Sequence, residues 1–226
     1  METFQFISEM IMTLLFLVAA IWGAVISFGK KSALFLQIVA CGLGCMALGN
    51  VFAFALQLTA PEDVLRDLTE GFHIGLLGIF GMFAFLFSAS FGQIDGLGDD
   101  RSEVLQEYRL IALSAPVGVI VLLILMLTSG IGWQKQAMYG VLFLPAILAS
   151  YYNLKHLIIP DVEDGILAAI RKYNFTTMLL TALVMASFVV KFYGLTLAYG
   201  IVSILCGVCA LFVLWFAKDG TERWLR

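Results

Sequence analysis

The sequence predicts an all-α polytopic membrane protein, and three observations carry that prediction. Hydrophobic residues make up 62% of the 226-residue chain and charged residues only 13%, against about 45–50% and about 25% in a soluble domain. The apolar residues gather into seven stretches, each close to the roughly 20 residues that cross about 30 Å of hydrocarbon. Nearly every charge lies outside those stretches or within a turn or two of their ends, as about 2.5–3.5 kcal/mol per mid-membrane charge demands. Such a chain has too little polar surface to cover its own apolar bulk. A net charge of −3 leaves no basic footprint for nucleic acid, so the bilayer is the expected environment.

The segments run over residues 6–28, 33–58, 71–92, 110–127, 137–158, 175–193 and 196–217, and together form a single seven-helix transmembrane domain spanning 1–226. The first begins with Glu2 and Glu9 rather than Lys or Arg and exceeds a signal-peptide core in length, so it is expected to remain a helix. After the second, Thr59, Pro61 and Glu62 read as a capping box with proline in the first turn, opening a short acidic external helix over 64–69. Asp100 and Glu103 read the same way and start the fourth helix near Arg101. Pro160 stops the fifth helix. Asp164 and the apolar run after Gly165 predict an extension that lies at the interface or runs into the sixth. Trp133, Tyr139, Trp215 and Trp224 fall near span ends, where aromatic belts sit.

Lys and Arg set the orientation. Ten of them (Lys30, Lys31, Arg101, Arg109, Lys155, Arg171, Lys172, Lys218, Arg223 and Arg226) fall on one side, against Arg66, Lys135 and Lys191 on the other. The amino terminus is therefore expected outside and the carboxyl terminus in the cytoplasm. Segments 1–3 and 5–7 then share an orientation, with segment 4 as the inverting linker. Pairing Gly75 with Gly200 also pairs Ile79 with Ile204, Leu86 with Leu211 and Phe87 with Phe212, a weak signature of a 3+1+3 parallel repeat.

Two sets of residues offer chemistry. Cys41 and Cys45, and Cys206 and Cys209, each share one helix face near the midplane. They read either as small apolar packing residues or as a thiol redox or soft-metal site. Polar residues inside the spans carry more information, because each is expensive unless it faces the bundle or a wet cavity. Glu9, Asn50, Gln57, His73 and Lys191, with Tyr193 and Tyr199, collect in the outer half. With Trp22, they are the expected lining of a ligand site between helices. The alternative leaves Lys191 snorkelling outward, Glu9 among headgroups and His73 capping segment 3. On the inner side, Tyr151, Tyr152, Asn153, Lys155 and His156 read as an interfacial anchor or as a gate kinked by Pro145. The glycines of segment 3 (Gly71, Gly75, Gly78, Gly81) predict close packing, with Gly42, Gly44, Ala47 and Gly49 of segment 2 as partner.

Several functions are disfavoured. The last segment has no mid-membrane lysine for a retinal, and two histidines cannot hold two haems. A multi-histidine zinc site has no residues to build it. No cofactor is implied. The expected function is a small-molecule carrier in the cell membrane of a bacterium or archaeon. The alternatives are a seven-helix sensor or receptor that signals to a cytoplasmic protein partner, and a membrane thiol redox protein.

Overall fold

A computed structural model of the chain describes residues 2–29, 33–59, 74–92, 103–159 and 166–224. Every regular element among them is an α-helix: α1 (Glu2–Ser27), α2 (Leu34–Thr59), α3 (Ile74–Phe91), α4 (Glu103–Ala112), α5 (Ser114–Leu127), α6 (Trp133–Leu142), α7 (Leu144–Ile158), α8 (Ile166–Phe192) and α9 (Thr196–Trp224). The capping box at Thr59 to Glu62, the short helix over 64–69, Gly71, His73, Arg101, Pro160 and Asp164 lie wholly or partly outside the described residues.

Two of the seven predicted segments are broken helices. α4 and α5 meet at Leu113 and together make the apolar span Gln106–Leu127; α6 and α7 meet at Phe143 and make the span Trp133–Ile158. Each junction sits just before a proline, Pro116 in one case and Pro145 in the other. A proline ring clashes with the carbonyl four residues back and removes one rung of the helical ladder. The remaining rungs continue across both junctions, from Val117 N–H to Leu113 and from Ile147 N–H to Phe143. Only the Pro145 kink is anticipated in the sequence reading; Pro116 acts alike. The extension before the sixth segment does not lie flat at the interface, for α8 is continuous from Ile166.

Among the described residues six helices are long and apolar enough to cross a bilayer, and the shorter α3 is also apolar. The surface agrees. Leu14, Val18, Ile21 and Val25 form an exposed stripe down α1, whereas Phe16, Ala19 and Ser27 on its other face are fully buried. A soluble monomer does not leave so continuous an apolar face in water, so the chain is a membrane-embedded helical protein.

The packing is a ring. α1 contacts α2, α2 contacts α3, α3 contacts α7, α7 contacts α8, α8 contacts α9, and α9 returns to α1. The α4–α5 span stands outside the ring against α7 and α8. Within the ring the closest seam joins α2 to α3. A Cβ placed on Gly78 would lie 2.6 Å from the Cys45 carbonyl oxygen and 2.8 Å from Gly49 Cα. Glycine is required there because two backbones touch. The predicted partner stripe is half right: Gly42 and Gly49 face α3, but Gly44 faces open space.

At the turn between α8 and α9, Gly194 has φ +70°, and the Leu195 N–H donates back to the Val190 carbonyl at 2.9 Å. This left-handed glycine ends α8 and reverses the chain within a few residues. Tyr193, at the same corner, is exposed and bonds its hydroxyl to that of Thr128 at 3.3 Å.

The four aromatics expected in interfacial belts differ in exposure. Trp133 and Trp224 are exposed at helix ends, and Trp215 is exposed along α9. Tyr139 is instead buried, in an aromatic cluster with Phe143, Phe188 and Phe192 whose ring centroids lie 5.3–6.3 Å apart.

Candidate functional site

A cavity of about 250 Å³ opens in the ring at the end that carries the amino terminus. Its position follows from register. Glu9 lies near the start of α1, Gln57 and Lys191 near the ends of α2 and α8, and Tyr199 near the start of α9. All four therefore occupy one level of the bundle. Seven residues further in, at 1.5 Å per residue, Asn50 and Cys206 line the cavity about 10 Å deeper. Its walls come from α1, α2, α3, α6, α8 and α9, so all the ring helices except α7 contribute.

The Glu9 carboxylate organises the upper level. Its Oε2 accepts a hydrogen bond from Gln57 Nε2 at 2.9 Å, and its Oε1 accepts from the Tyr199 hydroxyl at 2.8 Å and from Gln5 Nε2 at 3.3 Å. Lys191 Nζ stands 3.8 Å from the same Oε1 and 5.2 Å from the centroid of the Tyr199 ring. The two charges are unequal in freedom. The Glu9 side chain is 10% exposed and the Lys191 side chain 47%. Glu9 is thus buried within the bundle rather than lying among headgroups.

Deeper in, the lining turns apolar, with Met12, Met46, Ile79, Phe54 and Phe188. Asn50 is the exception. Its Nδ2 is buried without a hydrogen-bond partner, a state that calls for an explanation because an unmade buried bond is expensive. Thr13 and Ser187 also line the cavity, yet Thr13 donates to the Glu9 backbone carbonyl at 2.7 Å and Ser187 to that of Val184 at 2.7 Å.

Of the residues singled out in the sequence, Glu9, Asn50, Gln57, Lys191 and Tyr199 come together here. Trp22 does not. It lies 13 residues along α1 from Glu9, about 20 Å, and packs edge-on against Trp215 with centroids 6.2 Å apart. Tyr193 stays outside at its corner, and His73 lies outside the described residues. The sequence reading missed Tyr139, Phe188 and Phe192 as lining. Their spacing along α8 and the kink before Pro145 were the available signals, but only the ring closure shows which faces turn inward.

The four cysteines lie as two pairs, on α2 and α9. All four are free thiols, and no group of three or more His, Cys, Asp or Glu suited to a metal occurs among the described residues. Cys206 and Cys209 are buried between helices, the latter with its Sγ 3.4 Å from the Thr176 carbonyl oxygen.

The opposite end of the ring is closed by a polar cluster. The Ser90 hydroxyl on α3 donates to Asn153 Oδ1 on α7 at 2.8 Å. Asn153, His156, Tyr173, Asn174 and Thr177 are fully buried around it, and Lys155 nearly so. A headgroup anchor would leave this segment exposed, so the anchor reading of Asn153 to His156 is corrected: helices α3 and α8 pack over it. Ser90→Ala is expected to lower unfolding stability by about 1–2 kcal/mol, because it strips a buried amide of its partner. Ser88→Ala, at an exposed hydroxyl bonded only to its own helix at Ala84, is expected to stay within about 0.5 kcal/mol of the parent. Denaturant titration in mixed micelles measures both.

No family model, no curated protein and no solved structure matches the chain, so the site's geometry alone carries the functional reading.

Proposed function

We propose that the protein is a carrier for a small organic solute. It would cross the cell membrane seven times, with its amino terminus outside and its carboxyl terminus in the cytoplasm. The orientation rests on the ten-to-three division of Lys and Arg. The seventh crossing is assigned to α3, whose 18 residues rise about 27 Å, nearly the hydrocarbon thickness. Short loops favour a bacterial or archaeal membrane.

One observation carries the carrier reading: the ring holds a polar-headed cavity at one end and a fully buried polar cluster, tied across α3 and α7 by Ser90 and Asn153, at the other. A site accessible from one face and closed to the other is one half of an alternating-access cycle. Helix order supports it. α2–α3 and α8–α9 are the two tightest pairs, α1 meets α9 as α3 meets α7, and α4–α5 stands aside as a linker would. This contact pattern is in keeping with two three-helix halves, although α2 also packs on α9 with no counterpart of like extent between α3 and α8. The residue pairing of Gly75 with Gly200 fares less well, since Gly200 faces Phe4 and Ser8 of α1 while Gly75 meets Gly49 of α2.

Uptake into proteoliposomes tests the proposal. A panel of radiolabelled organic cations, anions and zwitterions should yield at least one solute that accumulates in vesicles holding the protein and not in empty ones. Ser90→Leu, which wedges the buried cluster, should change that rate at least about tenfold. A solute that binds in the cavity but never crosses would overturn transport in favour of sensing.

A further inference from the structure

We propose that the ligand of the cavity is an organic cation, an ammonium on an apolar body with a hydrogen-bond acceptor at its far end, and that Lys191 holds the ammonium's place until it arrives. The inference rests on the cavity being a ligand site but not on whether the ligand is moved.

The charges decide the class. Glu9 is the buried partner, fixed by Gln57, Tyr199 and Gln5. Lys191 is the loose one. Its Nζ is 3.8 Å from the carboxylate, its side chain is about half exposed, and α8 ends one residue later at Phe192. A lysine so near a helix end swings outward at little cost by snorkelling. Once it does, the buried carboxylate demands another cation. The face of the Tyr199 ring, over which the Lys191 ammonium now stands, is already shaped for one.

The depth decides the body. Below the carboxylate the wall is Met12, Phe54 and Phe188, which suits an apolar or aromatic group better than a hydrated metal ion. About 10 Å deeper stands the unpartnered Asn50 Nδ2, a donor that waits for an acceptor. The ligand is therefore polar at both ends and apolar between them, with its positive end toward Glu9.

Three matched probes test this on the full chain in phosphatidylcholine nanodiscs, by titration calorimetry against empty discs. They are 4-(4-methoxyphenyl)butylamine, 4-phenylbutylamine and 5-phenylpentanoate. The methoxy amine is expected to bind tightest, the plain amine several-fold weaker and the carboxylate at least about tenfold weaker. Glu9→Gln should weaken both amines about tenfold or more, whereas Lys191→Gln should tighten them about threefold by removing the resident competitor. Lys191→Gln changes a half-exposed side chain and keeps the test open if Glu9→Gln fails to fold. Equal binding of amine and carboxylate would overturn the cation class. Weaker amine binding in Lys191→Gln would instead make the lysine part of a zwitterion site and overturn the place-holder role. An amine that binds without entering vesicles would refute transport and leave the ligand class standing. Transport of an anion with no amine binding would do the reverse.

Discussion

Gly78→Val is expected to unfold the bundle or lower its stability by about 3 kcal/mol or more. The position is the tightest backbone approach in the ring. A Cβ there would meet the Cys45 carbonyl oxygen at 2.6 Å and Gly49 Cα at 2.8 Å, and a Cβ on Gly49 would meet the Gly75 carbonyl at 2.7 Å. None of these neighbours is the tip of a side chain that can rotate away. Relief requires α2 and α3 to separate, and separation forfeits packing along the whole seam. Packing is what holds helices together in lipid, because hydrocarbon solvates apolar surface as well as another helix does. Gly44→Val provides the contrast: the site is open, so the expected change is under about 0.5 kcal/mol. Thermal unfolding in a single detergent, followed by loss of monodispersity, compares the two. Equal midpoints would show that the seam can yield.

The same seam shows how far the sequence could be read. Four glycines at spacings of four, three and three announce a flat helix face, and Gly75, Gly78 and Gly81 do meet α2. Choosing the partner glycines was harder. Gly42, Gly44 and Gly49 are crowded into two turns, and only the crossing of the axes shows that Gly42 and Gly49 face inward while Gly44 does not. A helix hydrophobic on every side carries no stripe to tell core from lipid. That is why the spans were readable and their facing was not.

Polar residues escape this limit, because lipid forces them inward whatever the neighbours are. Depth alone therefore brought Glu9, Asn50, Gln57, Lys191 and Tyr199 onto one short list, and all five line one cavity. Trp22 and Tyr193 were misplaced for the opposite reason. An amphipathic aromatic is at home in the core, at the interface or in a turn, so its type says little about its depth. The inner segment from Asn153 to His156 misled differently. Its polarity resembles an interfacial stretch, but its burial depends on α3 and α8 closing over it, contacts made by residues far away in the chain.

Glu9→Ala is expected to have the second largest effect, and the reason separates a structural anchor from a surface ion pair. The carboxylate is the common acceptor for Gln57, Tyr199 and Gln5, from three points on α2, α9 and α1. Its removal leaves the Tyr199 hydroxyl, on a residue only 7% exposed, facing a hole. A buried donor left unmade costs about 1–3 kcal/mol, and the tie between α1, α2 and α9 is lost with it. A total near 3 kcal/mol is expected by denaturant titration. Lys191→Ala should lower stability by less than about 1 kcal/mol, because a half-exposed ammonium at 3.8 Å contributes as a surface pair does. Glu9→Gln falls between them, since the amide oxygen still accepts one of the two shortest bonds. If Lys191→Ala matched Glu9→Ala, the ion pair and not the hydrogen-bond hub would hold this end of the ring, and Lys191 would no longer be free to yield its place.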